Sequence, residues 1–137
     1  MIRAVVDPGV LVSGVISSSG APAELVDRWL DAELEILVCP HLLDELGDVL
    51  LRRKFRKYVT LDEAVAFVEL LRRTASMRPD PEVERGLIPD PKDDYLVALA
   101  REAGADCVVS GDVHLTELPD PRPPVLGPRE FLDALER

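Results

Sequence analysis

Cysteine is scarce in this chain. The only two, Cys39 and Cys107, stand at the edges of apolar runs with no CxxC spacing, so neither a disulfide framework nor a redox motif is written into the sequence. Their setting predicts buried, reduced thiols in a cytoplasmic protein. Aromatic residues make up 4% of the chain, one Trp, two Tyr and three Phe, too few for a stacking platform that reads bases. No apolar stretch approaches the ~20 residues needed to cross a bilayer. The N-terminus enters a strand directly, without the charged segment and cleavage site of a secretion signal, so neither a membrane nor export is expected. Positive charge is also short: 16 Lys and Arg face 26 Asp and Glu, a net charge of −10. That balance argues against a module that wraps nucleic acid broadly. A Ser/His/Asp set, a Cys/His pair and a Gly-rich phosphate loop are all missing.

What is present is a 137-residue chain with 47% hydrophobic and 31% charged residues, which fits a single globular domain over residues 1–137. A chain of this length buries roughly two-thirds of its unfolded surface. There are no repeats, low-complexity tracts or interdomain linkers. Strand and helix signals alternate, the pattern of an α/β sheet with mostly parallel strands. Ile2–Val6 reads as a first strand, followed by Pro8-Gly9 as turn residues and a helix over about 22–32. Leu34–Cys39 reads as a second strand, and Pro40 opens a helix through Leu42, Leu46 and Leu50. Thr60 and Glu63 have capping-box spacing before a long amphipathic helix. A short edge strand and a loop fill Ser76–Pro89, and Asp90-Pro91 starts a helix that stops at Gly104. Cys107–Gly111 reads as a late strand, Val125-Leu126 as a short one, and Pro128 opens a terminal helix.

The acidic residues carry the chemistry. Asp7 and Asp112 each follow directly on an apolar run, which puts them at strand carboxyl ends, where open α/β sheets place their ligand crevice. If those strands are neighbours, like charges meet, and a divalent cation reconciles them. The bland alternative for both is capping of a turn. Glu45 lies beside the apolar stripe of its helix, where a solvated role is equally open. Asp90, Asp93 and Asp94 crowd a helix start, where Asp90 can be the N-cap and its neighbours can favour the helix dipole. Asp93 shares a face with Leu96, Val97 and Ala100, whereas Asp94 falls on its flank, so periodicity prefers Asp93. His114 follows Asp112 and fits a surface or accessory role. His41 sits in a first helical turn with nothing nearby in sequence to make it a ligand.

Together, Asp7 after a first strand, Glu45 in a Leu-Leu-Asp-Glu-Leu helix, Asp90-Pro91-Lys92-Asp93-Asp94 opening a helix and Ser110-Gly111-Asp112 after a late strand resemble a PIN domain. The similarity is to the toxins of toxin–antitoxin pairs related to the VapC ribonucleases, and it covers nearly the whole chain. The resemblance implies a three-layer α/β/α fold with strand order 3-2-1-4-5. It implies that Asp7, Glu45, an acid of the Asp93-Asp94 pair and Asp112 hold one or two Mg²⁺ or Mn²⁺ ions; Asp90 and His114 are accessory candidates beside that set. It favours Asp94, which precedes Leu96-Val97-Ala98, so resemblance and periodicity differ by one residue and both acids stay candidates. The implied activity is single-strand endoribonuclease; the implied partners are an RNA substrate, a small antitoxin and a second copy of the chain.

The chain departs from the family at the first motif, where Asp7-Pro8-Gly9 replaces the usual Asp-Thr-Asn. The lost hydroxyl and amide would have steadied the aspartate, and weaker metal binding is the expected consequence. That departure supports an alternative reading, a PIN-fold binding protein without turnover. A haloacid-dehalogenase-type phosphatase would need a second Asp where Gly9 stands, and a receiver domain would need paired acids at the first strand. The run Arg52-Arg53-Lys54-Phe55-Arg56-Lys57 is a basic island on an acidic chain. It reads either as cations at a helix end or as a patch contacting RNA phosphates through Arg52, Arg53, Lys54, Arg56 and Lys57.

Overall fold

A computed structural model of the protein describes residues 1–82, 94–117 and 122–136. Its centre is one sheet of β1 (Ile2–Val6), β2 (Leu34–Val38), β3 (Ser76–Met77), β4 (Cys107–Val109) and β5 (Val125–Leu126), in the order β3-β2-β1-β4-β5. All four pairings are parallel, with Val5 opposite Leu37 on one side of β1 and Val6 opposite Val109 on the other. The helices that complete the α/β/α layers are α1 (Pro8–Ile16), α2 (Ala21–Leu30), α3 (Pro40–Leu50), α4 (Leu61–Thr74), α5 (Asp94–Ala103), the single turn α6 (Val113–Thr116) and α7 (Pro128–Leu135). The three central strands are covered on both faces, so β1 and β4 read as unbroken apolar runs and their residues Val5, Val6, Val108 and Val109 are wholly buried.

Sequence logic accounts for most boundaries. Thr60 caps α4 by accepting from the Glu63 N–H at 3.1 Å, and Glu63 returns the bond to the Thr60 N–H at 3.0 Å, the expected capping box. Gly104 ends α5 at φ 67°, a left-handed position that glycine adopts without penalty, and the Ala105 N–H reaches back to the Ala100 carbonyl at 2.9 Å. The helix start expected at Asp90-Pro91 falls outside the described residues.

The sequence reading requires one correction. Pro8 and Gly9 open a helix instead of a turn, and α1 follows β1 directly. Proline suits the first helical position because its missing N–H has no helical partner there, and Asp7 supplies the cap by accepting from the Gly9 N–H at 2.9 Å. Glycines and β-branched residues are weak helix formers, so propensity hides this helix. Burial of Val10, Leu11 and Val12 against the core outweighs that deficit. Gly14 then lets α1 and α2 touch: a Cβ there would stand 2.7 Å from the Pro22 carbonyl oxygen and 2.6 Å from Val26 Cγ2. Among the described residues no single helix is long and apolar enough to cross a membrane.

Candidate active site

Parallel pairing of β1 with β4 brings residues about a hundred positions apart to one end of the sheet. The Asp7 N–H donates to the Val109 carbonyl at 2.8 Å, which extends the ladder one residue past the end of β1 and fixes where the aspartate leaves it. Ser110, the one buried polar residue of the described chain, lies immediately beyond. Its hydroxyl donates to Asp7 Oδ2 at 2.8 Å and accepts from the Asp112 N–H at 3.0 Å. A single oxygen therefore ties the two strand-end aspartates together. With Pro8-Gly9 at the first motif, the Gly9 N–H holds Asp7 Oδ1 and the Ser110 hydroxyl holds Oδ2. Each carboxylate oxygen keeps a lone pair for another partner.

Glu45 reaches the same neighbourhood from α3. It is half-buried, and its Oε2 accepts a hydrogen bond from the Tyr95 hydroxyl on α5. Tyr95 itself is 5% exposed. Burial is the main cause that drives its phenol pKa up, followed by the bond to Glu45 and by the charges of Glu45, Cys39 and Asp7. The phenol stays protonated and can only donate towards Glu45. His41, one turn before Glu45, sets its imidazole edge-on against Tyr95, with ring centroids 4.3 Å apart and planes at 76°. Its backbone N–H donates to Asp80 at 2.8 Å, which caps the start of α3. Burial and the nearby Asp80 lift the Cys39 thiol at that helix start to about 11, so it is an inert thiol, and Cys107 is raised to about 11 mainly by burial.

Asp94 is the first described residue of α5, one position before Tyr95, and Asp90 and Asp93 lie outside the described residues. His114 belongs to α6, two residues beyond Asp112. Among the described residues no three His, Cys, Asp or Glu side chains form a group that could hold an ion on their own. What they supply is carboxylate oxygen from two strand ends and a helix face, the donor chemistry that hard divalent cations take.

The basic run forms a 3-10 turn, Arg53–Phe55, after α3. Arg52, Arg53, Lys54 and Lys57 are exposed, with Lys54 Nζ 5.1 Å over the Phe55 ring and Lys57 Nζ 5.1 Å over Tyr58. Arg56 differs from the other four. It is half-buried and its guanidinium donates to the Leu50 carbonyl, capping the end of α3.

Ser110 and Tyr95 were the contributions that sequence reasoning missed. A small hydroxyl directly after the apolar run of the late strand and just before Gly111-Asp112 was the available sign for the first. For the second it was an aromatic with a polar tip on an otherwise aliphatic helix stripe.

Comparison with known proteins agrees with this architecture. A protein of Methanocaldococcus jannaschii, the uncharacterized MJ1680, is 24% identical over 145 residues, covering 99% of this chain and 93% of its own. The crystal structure of PAE2754 from Pyrobaculum aerophilum superposes with a TM-score of 0.66 at 20% identity, over 98% of this chain and 90% of that one. VapBC2 from Rickettsia felis, crystallised with a DNA fragment from its promoter, gives a TM-score of 0.61 at 10% identity, over 92% of this chain and 98% of that one. The sequence pattern of the PIN domain matches residues 3–114. That match runs from β1 into α6 and takes in Asp7, Glu45, Ser110 and Asp112, so the chain belongs to the PIN domain family.

Proposed function

We propose that the protein is a metal-dependent endoribonuclease that hydrolyses phosphodiesters of single-stranded RNA, and that it is the toxin of a toxin–antitoxin pair. The observation that carries this reading is the Ser110 hydroxyl shared by Asp7 and Asp112 at the carboxyl ends of β1 and β4. PIN domains are generally nucleases, which supports the reaction class. Asp7, Glu45, Asp112 and one of Asp93 and Asp94 would hold one or two Mg²⁺ or Mn²⁺ ions, with Asp90 and His114 as accessory groups. When bound, such ions lower the pKa of a water and offset phosphate charge during in-line attack. The chain's own part is to hold the half-buried carboxylates in register: Ser110 and the Gly9 N–H hold Asp7, and Tyr95 holds Glu45. Arg52, Arg53, Lys54 and Lys57 would draw the RNA backbone past an otherwise repulsive surface. A small antitoxin is the expected protein partner, a reading the Rickettsia felis VapBC2 likeness supports, and the proposal includes a homodimer in the cytoplasm.

The test is an assay on unstructured RNA with Mn²⁺ or Mg²⁺, beside a thermal melt of the protein with each ion. Cleavage and a rise in Tm are expected for the wild type, and Asp112→Asn should lose both. A wild-type protein that neither cleaves nor gains stability with either ion would leave the second reading, a PIN-fold binding protein. The observation that favours that alternative is Pro8-Gly9 in place of the family's Thr-Asn.

A further inference from the structure

Tyr95 has one polar atom, and that atom is committed. Its ring is buried between α3 and α5 with 5% of its surface exposed, and its hydroxyl donates to Glu45 Oε2 across fifty residues of sequence. The ring is also bounded from outside, where the exposed His41 meets it edge-on at 4.3 Å. A buried phenol needs a partner for its O–H, and a half-buried carboxylate needs donors, so each satisfies the other. Glu45 has no hydrogen bond to its own helix among those described, and α3 places it beside the stripe of Leu42, Leu46 and Leu50 rather than on it. Its side chain has free rotation about several bonds, and a flexible carboxylate would have to be ordered whenever an ion bound. The phenol removes that cost beforehand by fixing the carboxylate through a rigid ring that turns about only two bonds.

We propose that Tyr95 is the positioning residue for Glu45: its hydroxyl holds the carboxylate in the orientation in which it serves the divalent ion, without touching ion or substrate itself. The proposal rests on Glu45 being a metal ligand, as argued above. It also explains why α5 matters twice, since the helix that begins at Asp94 carries in its next residue the group that orients the acid on α3. Ligand-orienting hydrogen bonds of this kind are worth about 10–100-fold in metal affinity.

The experiment measures Mn²⁺ binding by calorimetry for the wild type, Tyr95→Phe, Glu45→Gln and the double variant, with the metal-free Tm of each recorded alongside. Tyr95→Phe keeps the ring and its packing, and is expected to weaken Mn²⁺ binding about 10–100-fold. In the Glu45→Gln background the same change should cost nothing more, because there is no carboxylate left to orient. A purely structural role would lower the metal-free Tm and leave the affinity of the folded protein unchanged. Glu45→Asp provides a second variant at a half-buried position: it keeps the charge but withdraws it from the phenol, and should lose affinity to a similar degree. Wild-type affinity in Tyr95→Phe or Glu45→Asp, with Glu45→Gln impaired, overturns the positioning role while leaving Glu45 a ligand. Equal affinity in wild type and Glu45→Gln overturns the ligand assignment, and the positioning role with it.

Discussion

At the junction of β1 and α1, Asp7 is positioned by what lies next to it in the chain and in the sheet. The Val109 carbonyl takes its N–H, the Gly9 N–H takes one oxygen and Ser110 takes the other. On α3 the arrangement is the opposite: Glu45 stands on a helix face, and its described partner is a phenol from α5. The first carboxylate is set by ladder register, which is rigid and all-or-none. The second is set by helix docking, which gives gradually when packing is disturbed. Perturbations should therefore separate the two, sharply at the strand ends and by degrees on the helix.

The largest effect is expected from Ser110→Ala. It deprives Asp7 Oδ2 and the Asp112 N–H, both in half-buried residues, of their common partner, a loss of about 1–3 kcal/mol in stability. It should also weaken Mn²⁺ binding about 10–100-fold. Urea unfolding and calorimetry measure the two, and an unchanged affinity would break the contrast drawn here. Gly14→Ala comes next. Ordinary propensity would make this change favourable by about 1 kcal/mol in a helix. The Pro22 carbonyl at 2.7 Å from the new Cβ is backbone and cannot swing aside. Overpacking should prevail, with a net loss of about 1–3 kcal/mol by denaturant titration.

Smaller effects belong to α4, which packs on α3, the helix that carries Glu45. Thr60→Ala removes its cap and should cost about 1 kcal/mol, seen as a lower urea midpoint. The smallest is a pH effect at the same cap. The Thr60 backbone N–H, and then its hydroxyl, hold the Glu63 carboxyl below its usual 4.5. A depressed acid stabilises the fold above its unfolded pKa and loses that contribution as pH falls through the folded value. Stability should thus drop on acidification below about pH 4.5, less steeply in Thr60→Ala, by melts across that range.

The same contrast governs what could be read from the sequence. β1, β4 and the strand-end aspartates were legible because a buried parallel strand leaves a continuous apolar run and its end is abrupt. The capping box of α4 and the Gly104 stop were legible because each uses local chemistry. α1 was hidden because Pro8-Gly9 has the composition of a turn and only tertiary burial makes the following Val-Leu-Val segment helical. Glu45 could be placed beside an apolar stripe, yet its partner lay fifty residues away and no periodicity announces such a contact. The basic run showed its charge in sequence but not its division of labour, since the capping bond of Arg56 depends on where α3 ends.

The hydroxyl that joins Asp7 to Asp112 spans most of the polypeptide, and contacts of such separation close late in folding. During synthesis the first aspartate emerges at the very start, while Ser110 arrives only after the segments of α1 to α5 and of β1 to β4 have been made. A growing chain therefore lacks the assembled acidic centre until β4 has slotted in beside β1. The bond between Ser110 and Asp7 is withheld from the nascent protein by topology alone.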